Sequence, residues 1–196
     1  ALPIFHPHTP NLSVVDPRAL VLRGVAYCRR PDDSMIDSRI TRQMFDAAGR
    51  LCEAWDPRLW EAARKPNLST LYGLSGQPLL TDSVDAGWQL GLFNEAGSPG
   101  SFWDARGSQR HSQYDSQMRP INVCERMIGE PARIMERLDF ADSSLKFTAH
   151  NQCGRLIRHD DPAGAQVLTD YGLAGAVLVE GRRFLKELET PDWPEP

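Results

Sequence analysis

The sequence predicts a mainly β fold, with antiparallel β-hairpins repeating along the chain to make a curled open sheet that ends in one short C-terminal helix. Three observations carry this. An aromatic or apolar residue followed by a turn former recurs at a near-constant interval, glycine and proline (15 of each) punctuate short apolar runs, and long amphipathic helical patterns are scarce.

The repeat reads Phe45-Asp46-Ala47-Ala48-Gly49, Tyr72-Gly73-Leu74-Ser75-Gly76, Phe93-Asn94-Glu95-Ala96-Gly97 and Tyr114-Asp115-Ser116-Gln117-Met118, with the aromatics 27, 21 and 21 residues apart. Degenerate copies follow at Leu138-Asp139, at His159-Asp160 with Gly164 behind it, and at Tyr171-Gly172-Leu173-Ala174-Gly175. A unit of this length holds two strands of about six residues and their turns, so each reads as one hairpin. The residue types have a mechanical reason. Asp or Asn opening a tight turn bonds the backbone two residues on, and the glycine behind it supplies the positive φ that reverses the chain.

Three regions are expected. Residues 1–38 form an N-terminal β segment and polar loop: Leu12 to Tyr27 is β-rich around an Asp16-Pro17-Arg18 turn, and residues 29–38 read as an exposed loop. Residues 39–180 are the repeat region, with one helical turn expected over Trp60 to Lys65 before Pro66. Residues 181–196 are a short helix and a Pro-rich tail, the helix resting on Phe184, Leu185 and Leu188 between Gly181 and Glu189, the tail on Pro191, Pro194 and Pro196.

The segment Arg39-Ile40-Thr41-Arg42-Gln43-Met44-Phe45-Asp46-Ala47-Ala48-Gly49-Arg50-Leu51, followed by Trp55-Asp56-Pro57-Arg58-Leu59, resembles the opening YD repeat of TccC-type RHS proteins, the C components of insecticidal toxin complexes. The stretches from Thr81 to Gly87 and from Cys153 to Gly164 are similar to two further parts of that N-terminal region, in the same order. The resemblance implies YD repeats wound into a hollow shell that encloses a variable toxic polypeptide. This chain is then wall rather than weapon, a non-catalytic structural segment. The implied partners are other RHS or toxin-complex shell components, self-association through sheet edges, and a toxin cargo. The implied location is the bacterial cytoplasm, followed by release as part of a complex. The family's self-cleaving core lies downstream of this region. Asp161-Pro162-Ala163-Gly164 is superficially similar to its signature, but Asp16-Pro17 and Asp56-Pro57 indicate that Asp-Pro serves here as a turn.

Composition narrows the alternatives. With 22 Lys plus Arg against 26 Asp plus Glu, the net charge is -4, and no basic stripe offers itself to nucleic acid. No apolar run approaches the ~18 residues of a membrane span, and the start lacks a signal-peptide pattern. Cys28, Cys52, Cys124 and Cys153 are scattered without a C-x-x-C pair, which reads as reduced, buried thiols rather than a disulfide framework or a metal site.

The residues also offer two other functional classes. A small hydrolase would draw on His150, Cys153, His159 and Asp160, with Asn151 and Asp161 nearby. A Cys with a His can form a nucleophile and base, yet no spacing here sets two ligands on one helix face. A carbohydrate- or receptor-binding module would use exposed tryptophans among Trp55, Trp60, Trp88, Trp103 and Trp193, with Trp88 and Trp103 as the platforms. His6-Pro7-His8 reads as a mobile terminus or edge-covering strand. Gly97 to Gly107 lacks the Gly-Lys-Ser/Thr ending of a phosphate loop. No cofactor is expected.

Overall fold

A computed structural model describes residues 9–29, 35–61, 65–187, 191 and 193. Apart from a single helical turn, α1 (Leu145–Thr148), its regular secondary structure is strand. Strand order in the sheet is chain order, with each paired neighbour antiparallel. That is what short connections dictate, because a parallel neighbour needs a crossover of a dozen or more residues. The sheet is open: among the described residues β1 (Leu12–Val15) pairs with β2 (Val21–Arg29) and with no other strand, and β14 (Val177–Phe184) pairs with β13 (Gly164–Tyr171) alone. No helix among the described residues is long and apolar enough to cross a membrane.

The chain divides into two compact units, residues 1–90 and 91–196. The first contains β1, β2, β3 (Ile36–Phe45), β4 (Leu51–Trp55), β5 (Leu68–Tyr72), β6 (Pro78–Ser83) and most of β7 (Gly87–Phe93). β2 and β3 pair without interruption from Arg23 opposite Arg42 to Arg29 opposite Ile36. The polar loop expected over 29–38 is therefore shorter than composition suggested. Arg29, Asp37 and Ser38 belong to the ladder, because cross-strand pairing overrides the polarity of the side chains. The helical turn expected at Trp60 to Lys65 falls largely outside the described residues; just before it the amides of Leu59 and Trp60 both reach the Asp56 carbonyl, at 3.2 and 3.0 Å, in a hydrogen-bonded turn. Residues 62–64 lie outside the described residues. Trp55 is the buried aromatic of this unit, with the Arg42 guanidinium 4.8 Å over its ring.

The second unit contains β8 (Pro99–Asp104), β9 (Gln109–Tyr114), β10 (Pro120–Arg126), β11 (Arg133–Phe140), α1, β12 (Leu156–Asp161), β13 and β14. Among the described residues its core is Val123, Ala141, Ala165, Leu168 and Tyr171, and the polar side chains of Gln152 and Asp160 are buried with them.

The helix expected over Gly181 to Glu189 is absent as far as Phe184. Those residues finish β14, paired from Tyr171 opposite Val177 to Gly164 opposite Phe184. Phe184 and Leu185 mimic helical spacing over one turn only. The Val177-Leu178-Val179 run before them favours a strand, and the edge of β13 offers a ladder that an isolated helix of this length cannot match. Leu188 and Glu189 lie outside the described residues. Gly164 fixes how closely the two strands approach. Its φ is +146°, and a Cβ there would collide with the Arg183 carbonyl.

Candidate functional site

The repeated turns share one hydrogen-bond frame. At Asp46 the main-chain amide donates to the Arg50 carbonyl at 2.9 Å, and the Gly49 amide, on a residue with φ +83°, donates back to the Asp46 carbonyl at 3.0 Å. The Asp46 carboxylate then accepts the Arg50 amide on Oδ1 (2.9 Å) and the Arg50 Nε on Oδ2 (2.6 Å). Asp115 repeats the arrangement with Gln117, Met118 and Arg119. Its Oδ1 accepts the amides of Gln117 and Arg119 at 2.8 and 3.0 Å, and its Oδ2 accepts Arg119 Nε at 2.7 Å. Asn94, between Phe93 and Gly97, makes a neutral version by accepting the amides of Ala96 and Ser98. Gly73, between Tyr72 and Gly76, and Gly172 keep the two main-chain bonds without a side chain.

Three of these turns are tied to the next one by arginine. Arg18, anchored on Asp16, donates to the Asp46 carbonyl at 2.9 Å. Arg50 continues to the Gly73 carbonyl at 3.2 Å and lies 4.9 Å over the Tyr72 ring. In the second unit Arg119 donates to the Gly154 carbonyl at 3.1 Å and lies 4.3 Å over Phe140. A planar guanidinium can make all three contacts at once, holding its own carboxylate, the next turn's carbonyl and the next aromatic face. The tyrosines before the turns fasten the preceding hairpin: Tyr72, Tyr114 and Tyr171 donate their hydroxyls to the carbonyls of Leu51 (2.9 Å), Pro99 (2.7 Å) and Leu156 (2.6 Å). The product is a ladder of Asp, Arg and aromatic rungs along the turn edge of each unit.

The ladder is electrostatically set. At Asp46 and Asp115 the amide of the arginine four residues on is the main cause holding the carboxyl below its usual value near 3.8, with the guanidinium adding to it. At Asp56 the Arg58 guanidinium is the first cause, and Arg58 is itself pushed upward by Asp56 and Asp85. Partial burial works against ionisation at Asp16 and Asp161. The hydrogen bonds of Leu20 and Arg18 at the former, and of Arg182 and the 163 and 164 amides at the latter, outweigh it.

Some of these residues escape a count of one repeat interval. Asp104 makes the same turn as Asp46, accepting the amides of Arg106 and Ser108. It stands at the opposite end of its strand from Asn94, so a period of about 21 passes over it. The Leu138-Asp139 and His159-Asp160 copies are not turns. All four residues lie inside β11 and β12, where Leu138 stands opposite His159. The turns flanking them are elsewhere. Asp161 accepts the amides of Ala163 and Gly164 and so makes the β12 to β13 reversal. The β11 to β12 turn runs from Ala141 to Arg155 with α1 inside it, and it keeps the frame: the Ala141 amide donates to the Arg155 carbonyl at 2.9 Å and the Gly154 amide to the Ala141 carbonyl at 3.0 Å.

The residues named for hydrolysis are dispersed among separate partners. His150 stands 3.9 Å from Asp170, the Cys153 thiol pairs with Thr148, His159 contacts Glu136 at 3.3 Å, and Asp160 is held by Arg137 and Arg158. No group of three His, Cys, Asp or Glu suited to a metal occurs among the described residues. Of the proposed sugar platforms, Trp88 is 42% exposed, and Trp103 is half-buried in β8. A groove of about 750 Å³ in the second unit is lined by the apolar side chains of Phe102, Tyr114, Val123 and Leu138, together with Arg110 and Glu136.

Against known proteins, the chain is 35% identical over 197 residues to the toxin subunit YenC1 of Yersinia entomophaga, and 32% identical to YenC2 of the same organism. Those alignments take in 96% and 92% of this chain. The chain is related to toxin-complex C subunits. It spans about a fifth of the length of these relatives. The crystal structure of TcdB2-TccC3 superposes with a TM-score of 0.86 at 34% identity, covering 98% of this chain and 10% of that one. The Photorhabdus luminescens Tc holotoxin pore matches equally well, with a TM-score of 0.86 and 34% identity over 98% of this chain. No family model matches.

Proposed function

We propose that the chain is a non-catalytic wall segment of an RHS-type shell, corresponding to the N-terminal part of a toxin-complex C subunit, and that it helps to enclose a toxin polypeptide. The observation that carries this reading is the ladder. Asp16 with Arg18, Asp46 with Arg50 and Asp115 with Arg119 spend their charge on fastening one hairpin to the next, which is what a wall made of ribbons requires. Exposed apolar residues fit the same reading. Leu12, Val14 and Val15 on β1, and Leu178, Val179 and Phe184 on β14, line strands that each have one edge unpaired among the described residues. Those edges are where further shell components, or a second copy, would pair. The apolar lining of the second unit's groove would give an enclosed chain a surface to lie against. Release would occur as part of the assembled complex.

The test is a chimera in which residues 9–187 replace the matched stretch of YenC1. The expected result is a C-terminal polypeptide as resistant to protease as in the parent. Digestion at the rate seen when that stretch is deleted would overturn the reading. Substituting His159 with Ala should leave any activity of the chimera intact.

A further inference from the structure

The groove of the second unit is charged as well as apolar, and its carboxylates are held unlike those of the turns. Register sets its face. Phe102 stands opposite Arg110, Arg110 opposite Glu125, Val123 opposite Glu136 and Leu138 opposite His159, and directly opposed residues share one side of a sheet. Strands β8 to β12 thus bring apolar and ionic side chains together.

The turn carboxylates are closely held: Asp46 and Asp115 each meet a guanidinium at 2.6 Å and accept main-chain amides besides. In the groove one guanidinium serves two carboxylates at longer range. Arg110 reaches Glu136 at 3.2 Å and Glu125 at 3.7 Å, the second outside hydrogen-bond range. Glu136 adds a contact with His159 at 3.3 Å. A carboxylate offers about four lone-pair positions, so both glutamates keep acceptor capacity, and their side chains are 38% and 31% exposed. The other charges of the lining are engaged elsewhere: Arg126 donates to Gln109 at 2.9 Å, and Asp104 accepts the amides of its own turn. Asp104, Glu125 and Glu136 against Arg110 and Arg126 leave the lining negative.

We propose that this groove binds an extended polypeptide segment carrying a lysine or arginine with an aromatic or aliphatic residue two positions away on either side, the spacing that sets three side chains on one face of a strand. The cation takes up the lone pairs that Arg110 leaves on Glu125 and Glu136, and the apolar neighbours cover Phe102, Val123 and Leu138. A groove of about 750 Å³ suits a few side chains rather than a folded domain. The same two glutamates repel an acidic segment. Only the source of the segment, the enclosed polypeptide, rests on the wall reading; the site belongs to this chain.

The test is fluorescence polarisation of fluorescein-labelled peptides with the full 196-residue chain, using Gly-Phe-Ser-Lys-Ser-Phe-Gly and its counterparts with norleucine or glutamate in place of lysine. The lysine peptide should bind about tenfold more tightly than either counterpart and weaken as salt rises. In NMR spectra it should shift the amides of Arg110, Val123 and Glu136 and leave those of Val21–Arg29 unmoved. The double variant Glu125→Gln, Glu136→Gln should reduce the lysine peptide to the affinity of the norleucine peptide. Asp85→Asn with Glu95→Gln, which removes as much charge outside the groove, should not. Where the groove variant does not fold, the peptide series on wild type decides alone. The site is overturned by equal affinity for the lysine and norleucine peptides, by shifts lying outside the groove, or by an equal loss in the second double variant. Peptide binding alongside digestion of the chimera's toxin polypeptide upholds the site without the wall, and a protected chimera whose parent chain binds no lysine peptide removes the site alone.

Discussion

Two turns of the second unit, at Asp115 and at Ala141, close the same geometric figure by different means. In both, the amide of the first residue meets an arginine carbonyl and a later amide returns to the first carbonyl, yet Asp115 and Arg119 are four positions apart while Ala141 and Arg155 are fourteen apart. The short turn stiffens itself with a carboxylate. The long one has alanine in that place and is held from inside the insertion, by buried Gln152 donating to the Leu168 carbonyl at 2.7 Å and Asn151 donating to the Tyr171 carbonyl at 2.9 Å. The main-chain frame therefore defines the reversal, and side chains only determine how it is braced.

The sharpest expected contrast follows from that bracing. Gln152→Ala strands a buried carbonyl and should lower stability by about 1–3 kcal/mol in urea unfolding, whereas Gln117→Ala, whose amide alone serves its turn, should change little. Next in size, Asp115→Ala should lower the melting temperature by several degrees in circular dichroism. Asp115→Asn should lower it less, because Asn94 accepts the corresponding two amides as a neutral group.

Acid distinguishes the two braces further. Asp46 and Asp115 have folded-state values below the usual 3.8, so their contribution is complete above that value and fades as pH falls through the lower one. In an acid titration followed by circular dichroism, wild type should lose stability below about pH 4, and the Asp46→Asn, Asp115→Asn double variant should show a flatter acid limb from a lower starting point. The smallest effect is expected from Arg119→Lys. It preserves the charge beside Asp115 but loses the planar fork to Gly154 and Phe140, and should appear chiefly as faster exchange of the Gly154 amide.

Much of the fold was legible because turn chemistry is local. Asp46, Gly73, Asn94, Asp115 and Gly172 each need only the next few residues to reverse the chain, and a near-constant interval between them implies hairpins. What was not legible depends on residues distant in sequence. The spacing that linked Asp139 to Asp160 is a coincidence produced by the long turn between them, and the two residues sit on paired strands. Asp104 obeyed the turn chemistry but stood half a period away. The supposed helix near Phe184 became strand because β13 lay beside it. The arginine rungs were invisible for a related reason: nothing near Arg50 announces that its guanidinium will lie on Tyr72, 22 positions onward.

The excursion between Ala141 and Gly154 also makes loop length at a reversal a free variable. Because two amide–carbonyl bonds at the neck close the figure, chain can be paid out beyond them without moving the register of β11 or β12. Equivalent necks at Asp46 to Arg50 and Asp115 to Arg119 are then natural docks for grafted epitopes, tags or sensors, each standing outside a sheet whose ladder never learns of the addition.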